Sequence, residues 1–516
     1  MSEVSFHTFR AGAALAIANP HLQSAVDGAT LKFRNDRRRA LADLPDVEAM
    51  RDHFKAMRAA TLANLGEHLE QFERQASAAG AHVHWARDAA EATQIVINIA
   101  RQHGARLAVK AKSMTSEEIH LNAALDEAGI APVETDLGEW IVQLAAESPA
   151  HIVVPALHKT RQQVAELFTR EVGRPLSADD IPALTEEARR ALRQKFLAAE
   201  IGISGANLGV AETGSIVLVT NEGNGRMVSS VPPVHVAIMG IEKVCPTWDD
   251  AAVWLELLAR SSTGQPLSVY TTAITGPARE SDADGPRVLH IVLYDGGRGG
   301  ILGTGYEEVL QCIRCGACLN HCPVYQEIAG QTYGHAYSGP IGAVLVPLLH
   351  GLEQYEALPH ASSLCGACLE VCPARIDLPR MLLDLRAEEV TRGIIGPPEQ
   401  AIEKSAAWLL GQRRLFGLLT DAGRIFQQPL VGKDGLRVPR RLNPAQERRL
   451  PTLAPRSFHA LWDELAAEAE TAPAAAPPRK AARKPSRGRM AALIGASALP
   501  LAVLWHLLRR RGRKER

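Results

Sequence analysis

The chain carries no net charge: 57 basic residues are matched by 57 acidic ones. No global field therefore draws it onto nucleic acid, and nucleic-acid binding is not expected. It also lacks a dinucleotide fingerprint. The glycine-rich stretch 296–305 does not fit G-x-G-x-x-G and leads into a cysteine loop instead of a long βαβ helix, so it reads as a flexible connector. The first twenty residues show no basic stretch followed by a continuous apolar run and a cleavage site, so a secretory signal is not expected. Without an oxidising compartment, disulfides are not the expected use of the eight cysteines. Apolar runs are short over most of the chain, and 341–349 is too short to span a bilayer.

What is present is a cysteine pattern. Cys312, Cys315, Cys318 and Cys322-Pro323 read C-x2-C-x2-C-x3-C-P, and Cys365, Cys368 and Cys372-Pro373 read C-x2-C-x3-C-P. Together they have the ligand spacing of a ferredoxin-type module with two iron–sulfur clusters. Three thiolates two residues apart can converge on one cubane, and the fourth, before a helix-breaking proline, points to the other cluster. Crossed ligation assigns Cys312, Cys315, Cys318 and Cys372 to one [4Fe–4S] cluster and Cys322, Cys365 and Cys368 to the second. Ser362 stands where a complete second motif would have its first cysteine. The second cluster is thus either a [4Fe–4S] centre with a serine, water or partner-protein ligand, or a [3Fe–4S] centre. A structural zinc site closes with four ligands and has no use for seven thiolates. The eighth cysteine, Cys245, reads as a small buried apolar residue. His321, inside the first motif, reads as a neighbour of the cluster and not a ligand.

The 516 residues suggest about three domains, with 46% hydrophobic and 22% charged residues as in a chain that buries a full core. Strand-like runs (108–110, 151–155, 215–219 and 288–293) alternate with helical ones (116–128, 160–171 and 186–200). The pattern predicts an α/β domain with a largely parallel, buried sheet. Strand ends are where open α/β sheets place ligands. Oxidising a 2-hydroxy acid would need a cation for the carboxylate and a base for the hydroxyl. Lys110 and Lys112, His158 and Lys159, Glu212 and Thr213, and Arg226 are candidates by position, though each also has an ordinary structural reading.

Beyond 471 the chain becomes Ala/Pro-rich and then basic, with Arg479, Lys480, Arg483, Lys484, Arg487 and Arg489. Such a stretch cannot bury a core and reads as a linker. Residues 490–508 hold no acidic or basic side chain except His506, and Arg509, Arg510 and Arg511 follow. The length suits a membrane anchor, and the alternative is a helix lying at an anionic surface. Basic residues at both ends give no orientation.

The α/β region carries Val133-Glu134-Thr135-Asp136-Leu137-Gly138-Glu139, Ala211-Glu212-Thr213-Gly214-Ser215-Ile216 and Asn221-Glu222-Gly223-Asn224-Gly225-Arg226. With the two cysteine motifs after them, these segments resemble the lactate utilisation protein B family, over about residues 6–465. Arg456-Ser457-Phe458 and Leu461-Trp462 in the C-terminal segment also fit. The resemblance implies a LUD-like α/β domain at 66–300 after a helical extension at 1–65. A helical two-cluster ferredoxin-type domain at 301–395 and a helical segment at 396–466 would follow, then the linker at 467–489 and the anchor at 490–508. It implies an iron–sulfur electron-transfer subunit of a cytoplasmic complex oxidising L-lactate to pyruvate; the tail, read from its own composition, would attach it to the inner face of the membrane. The implied partners are a cysteine-rich subunit, a second LUD-type subunit and a small 2-hydroxy acid; the tail, which is not a feature associated with the family, adds the membrane quinone pool as an expected partner. Two other readings stay open: an adaptor for another 2-hydroxy acid or a disulfide donor, and a ligand-sensing LUD protein.

Overall fold

The computed structural model describes residues 4–432, 435–436, 451–458, 461–462 and 464–466. The expected linker and anchor at 467–508 lie outside the described residues. No helix among the described residues is long and apolar enough to cross a membrane. The chain divides into two compact units, residues 1–397 and 398–516.

The first unit is built on two sheets. The larger has six strands in the order β1 (His82–Ala86), β10 (Val288–Tyr294), β7 (Val234–Gly240), β4 (Ile201–Gly205), β2 (Leu107–Lys110) and β3 (Ala131–Glu134). Every pairing is parallel, as the sequence pattern predicts. β7 is buried along its whole length and β10 nearly so. A central parallel strand needs that, because both of its faces are covered. One face lies under the helices Ala89–Gln102 and Leu121–Glu127, whose Val96, Ile99, Leu121 and Leu125 meet Val236, Ile238 and Val292. The other face meets Leu69 and Phe72 of the helix Leu65–Ala78.

The smaller sheet, in the order β8 (Val244–Cys245), β5 (Leu208–Val210), β6 (Ser215–Thr220) and β9 (Tyr270–Ile274), is mostly antiparallel. The run 215–219 is therefore a strand, but in this second sheet and not in the parallel one. A tight turn at Gly214 joins β5 to β6. Its φ is +66°, and a Cβ there would lie 2.1 Å from the backbone nitrogen of Ala76, so only glycine fits.

Three other expectations are corrected. The run 151–155 is a turn and not a strand, because His151 Nδ1 accepts from the backbone N–H of Val153 and Val154 and removes the donors a ladder would use. The helix expected over 116–128 breaks at His120, which is left-handed at φ +52°, giving Met114–Glu118 and Leu121–Glu127. The glycine-rich stretch is pinned in place: Arg298 within it is fully buried and donates from Nη1 and Nη2 to both carboxylate oxygens of Glu118 at 2.9 and 2.7 Å.

Before the sheet run the helices Phe6–Ile17, Pro20–Ala42 and Val47–Ala63. Asn19 caps the second with Pro20 at its first position, and Asp46 caps the third. After the sheet the first unit continues as short helices, among them Gly339–His350, Ala367–Val371 and Leu378–Arg392, joined by loops. The second unit contains the helices Pro397–Gly411 and Arg413–Gln427.

Candidate functional site: two cysteine loops and an adjoining cavity

The two cysteine motifs fold alike. In each, a non-glycine residue takes a left-handed conformation, Arg314 at φ +59° and Leu364 at φ +55°. A left-handed glycine two residues later, Gly316 or Gly366, opens a short helix, Ala317–His321 or Ala367–Val371. The repeat pairs Cys315 with Cys365, Cys318 with Cys368, Cys322 with Cys372, and Cys312 with Ser362. The last pair also shares a hydrogen bond. The N–H of Arg314 donates to Cys312 Sγ at 3.4 Å, and that of Leu364 donates to Ser362 Oγ at 3.1 Å.

Cys312, Cys315, Cys318 and Cys372 line one void, whose other walls include the apolar Ile313, Ile341, Ile376 and Leu378. Cys322, Cys365 and Cys368 are mutual electrostatic neighbours. All eight cysteines are free thiols. Burial pushes the Cys315 thiol up to about 12 and Cys372 to about 11, so their thiolates need a positive centre. Backbone N–H groups are already aimed at the sulfurs: Ala317 at Cys315, Tyr325 at Cys322, and Ala374 and Ile376 at Cys372. Buried thiols around an apolar void, with amide donors to sulfur, suit an iron–sulfur cluster. Among the described residues, no three His, Cys, Asp or Glu side chains converge as the ligands of a single metal ion would.

The N-terminal helices brace this centre. Arg51 donates to the carbonyl oxygen of Cys372 at 2.8 Å and to that of Glu370 at 2.6 Å, while Arg37 donates to that of Val371 at 2.7 Å. Arg314 lies over the ring of Tyr337 at 4.6 Å and pairs with the buried Glu242 at 3.3 Å. Nothing in the cysteine spacing announces these arginines, since they lie more than 250 residues upstream or between ligand positions.

A second cavity, of about 270 Å³, opens at the C-terminal ends of the parallel strands. Lys112, Asp136 and Lys243 follow β2, β3 and β7, and Gly205 ends β4. Arg314 forms its wall on the cluster side. Lys243 is held down to about 8 by burial against the pull of Glu242, with Arg314 and Arg298 as repelling neighbours, and Lys112 is lowered by burial against the pull of Asp136, Glu139 and Glu222. Glu139 behind the cavity is raised to about 8 by burial, against the pull of Lys112.

Of the seven candidates in the α/β domain, Lys110, His158, Lys159, Glu212, Thr213 and Arg226 do not line this cavity. Lys110 points into the core, where its Nζ lies 2.6 Å from Glu134. His158 pairs with Glu147 at 2.7 Å, and Lys159 pairs with the same carboxylate. Glu212 accepts from the N–H of Trp248 at 3.0 Å at the start of the helix Trp248–Ser262, and Thr213 accepts from its indole nitrogen at 3.1 Å. Arg226 is exposed. Lys112, two residues beyond Lys110, is the expected residue that does reach the cavity. His321 Nδ1 lies 2.9 Å from the carbonyl oxygen of Ala317, and Cys245 is buried on β8, where it pairs with Val210 of β5.

The geometry defines a class: an α/β domain whose ligand-end cavity abuts a two-loop iron–sulfur module. The comparisons agree, with the LUD domain family matching residues 69–294 and the 4Fe-4S dicluster domain matching 308–376. A crystal structure of a DUF162 family protein from Deinococcus radiodurans aligns with 45% of this chain and 98% of its own, at 16% identity and a TM-score of 0.26. Lactate utilization protein B of Macrococcus caseolyticus (strain JCSC5402) is 42% identical over 429 residues, covering 83% of this chain and 90% of its own. The protein of the same name from Bacillus velezensis is 45% identical over 377 residues, covering 73% and 79%. The chain belongs to the lactate utilization protein B family.

Proposed function

We propose that this chain is the iron–sulfur electron-transfer subunit of a complex that oxidises L-lactate to pyruvate and so supports growth on lactate. The observation that carries the reading is the seating of the Cys312 loop: Arg314 lines the strand-end cavity, while Cys312 and Cys315 on either side of it line the thiol void. Lactate gives up two electrons and two protons on becoming pyruvate, and iron–sulfur clusters, when bound, supply one-electron centres.

In this reading Cys312, Cys315, Cys318 and Cys372 hold a first [4Fe–4S] cluster. Cys322, Cys365 and Cys368 hold a second, with Ser362 at its fourth corner. The shared backbone bond of Ser362 and Cys312 supports that corner over a [3Fe–4S] centre. The protein's own work is positioning. Amide N–H groups stabilise charge on sulfur, Arg51 and Arg37 fix the carbonyls beside Cys372, and the apolar walls keep water out. Cys365 is exposed, which supports delivery at that face to a partner, a cysteine-rich or second LUD-type subunit. The complex is cytoplasmic in this reading, with the segment 490–508 attaching it to the inner face of the membrane near the quinone pool.

Anaerobic purification with iron and sulfide analysis, and low-temperature EPR of dithionite-reduced protein, tests the reading. Two interacting [4Fe–4S] signals are expected. With the partner subunits and an artificial acceptor, Cys315→Ser should abolish lactate turnover. Unchanged turnover in that variant, or zinc in place of iron, would sink the proposal.

A further inference from the structure

The strand-end cavity is short of anions. Asp136 and Glu222 on its wall are already engaged, accepting from the N–H of Glu139 and of Leu137, each at 3.1 Å. Lys112 and Lys243 have no hydrogen bond or ion pair among the described residues, and Lys243 is only 7% exposed. The Arg314 side chain is 5% exposed and pairs through Nη2 alone, leaving Nε and Nη1 buried without partners. Asn224 Oδ1 on the same wall is likewise buried and unpartnered, an acceptor awaiting a donor. Three cations of the wall face two wall carboxylates, Asp136 and Glu222, and Glu242 is shared by Arg314 and Lys243, so the cavity keeps room for a further negative charge. An anion there would relieve all three. The remaining wall mixes apolar side chains, such as Ile152, Val153, Leu218 and Leu258, with hydroxyl and amide groups, such as Ser113 and Asn207. A ligand suited to both has one anionic head, a hydroxyl or similar donor and a small apolar body.

We infer that this cavity binds a short 2-hydroxy or 2-oxo monocarboxylate, its carboxylate held by Lys112 and Lys243, with Arg314 between it and the Cys312–Cys315 loop. About 270 Å³ takes a three-carbon acid with several waters, each occupying roughly 30 Å³. The choice of acid rests on the lactate reading above, whereas the anion site rests on the cavity itself. Arg314 touches both the cavity and the Tyr337–Glu242 support of the cluster loop, so an occupied site would be felt at the first cluster.

The full-length chain, purified anaerobically with its clusters, is titrated calorimetrically with L-lactate, pyruvate and inorganic phosphate. Lactate and pyruvate are expected to bind and to compete for one site, a measurement that needs no variant. Lys243→Met and Lys112→Met should each weaken binding about tenfold or more, as for loss of a charged hydrogen bond. Iron content and EPR should be unchanged in both variants. Cluster signals without binding of either acid would overturn the site and leave the relay standing. Acid binding without cluster signals would overturn the relay and leave the site. Wild-type affinity in both lysine variants, or phosphate outcompeting both acids, would overturn the monocarboxylate assignment.

Discussion

Replacing Arg298 by Met should cost this protein about 3–5 kcal/mol, although the residue touches neither a cysteine nor the cavity. Its guanidinium is fully buried, forks onto Glu118, and sets Nε 2.8 Å from Glu242. Tyr337 Oη adds a bond of 2.7 Å to Glu118. Arg298 and Tyr337 hold the Glu118 carboxyl at about 2 against a usual 4.5, despite the opposing effect of burial. At about 1.4 kcal/mol per pH unit, that depression alone corresponds to roughly 3 kcal/mol. Without Arg298, two buried carboxylates face each other across a void, and Glu242 can no longer be shared cleanly with Arg314. The sign in pH follows from the depressed value. The contribution of Glu118 is complete above pH 4.5 and fades as pH falls from there towards 2, and the variant should lose that acid limb. Urea titration followed through the buried Trp254 reads the loss, and iron content reads the effect on the cluster loop. Arg298→Met combined with Glu118→Gln should recover part of the stability, because one stranded charge is gone. A change within about 0.5 kcal/mol for Arg298→Met would refute the reasoning.

Ser362→Cys should leave two full cubanes, while Ser362→Ala should release about one iron per chain and give an oxidised-state [3Fe–4S] EPR signal. Identical iron content and spectra in wild type and Ser362→Ala would remove Ser362 from the ligand set. Glu139, raised to about 8, takes up a proton on folding between pH 4.5 and 8, so stability falls as pH rises through that window. Glu139→Gln should flatten that fall and stabilise the protein at pH 8, as measured by urea midpoints across pH. Gly214→Ala should cost about 2 kcal/mol or more, since it combines a left-handed backbone with a 2.1 Å clash at Ala76. A thermal midpoint unchanged by that substitution would mean that the β5–β6 turn yields easily.

The cysteine loops were legible because cluster ligation is a local rule: spacing along the chain fixes which thiols can converge. Ser362 was legible for the same reason, as the residue standing at an empty ligand position. The parallel sheet was legible from buried apolar runs between helical segments. The run 215–219 shows the limit, because a buried strand carries no mark of the sheet it joins. At 151–155 the apolar run looked like a strand until a single His151 ring captured its N–H groups. Lys110 and Lys112 show the limit for sites. They stand two residues apart, yet one is neutralised by Glu134 in the core and the other emerges at the cavity. Lys243 gave no signal, since its significance lies in a missing partner, and partners are tertiary facts.

Arg58 shows why the cluster module and the α/β domain act as one body. It is fully buried on the helix Val47–Ala63, with its guanidinium 4.4 Å from the centre of the Trp254 ring. It donates to the carbonyl oxygen of Val244 at 2.9 Å, to that of Glu242, and to that of Leu310 at 3.2 Å. One side chain from the N-terminal extension thus ties β8, the turn carrying Glu242 and Lys243, and the residue two before Cys312. Separating those segments would strand a buried cation, at a cost comparable to breaking a buried ion pair. The cavity wall at Lys243 and the cluster loop at Cys312 are therefore held in fixed register by a residue belonging to neither. On the proposed function, that rigidity would keep the path from a bound acid to a one-electron centre short.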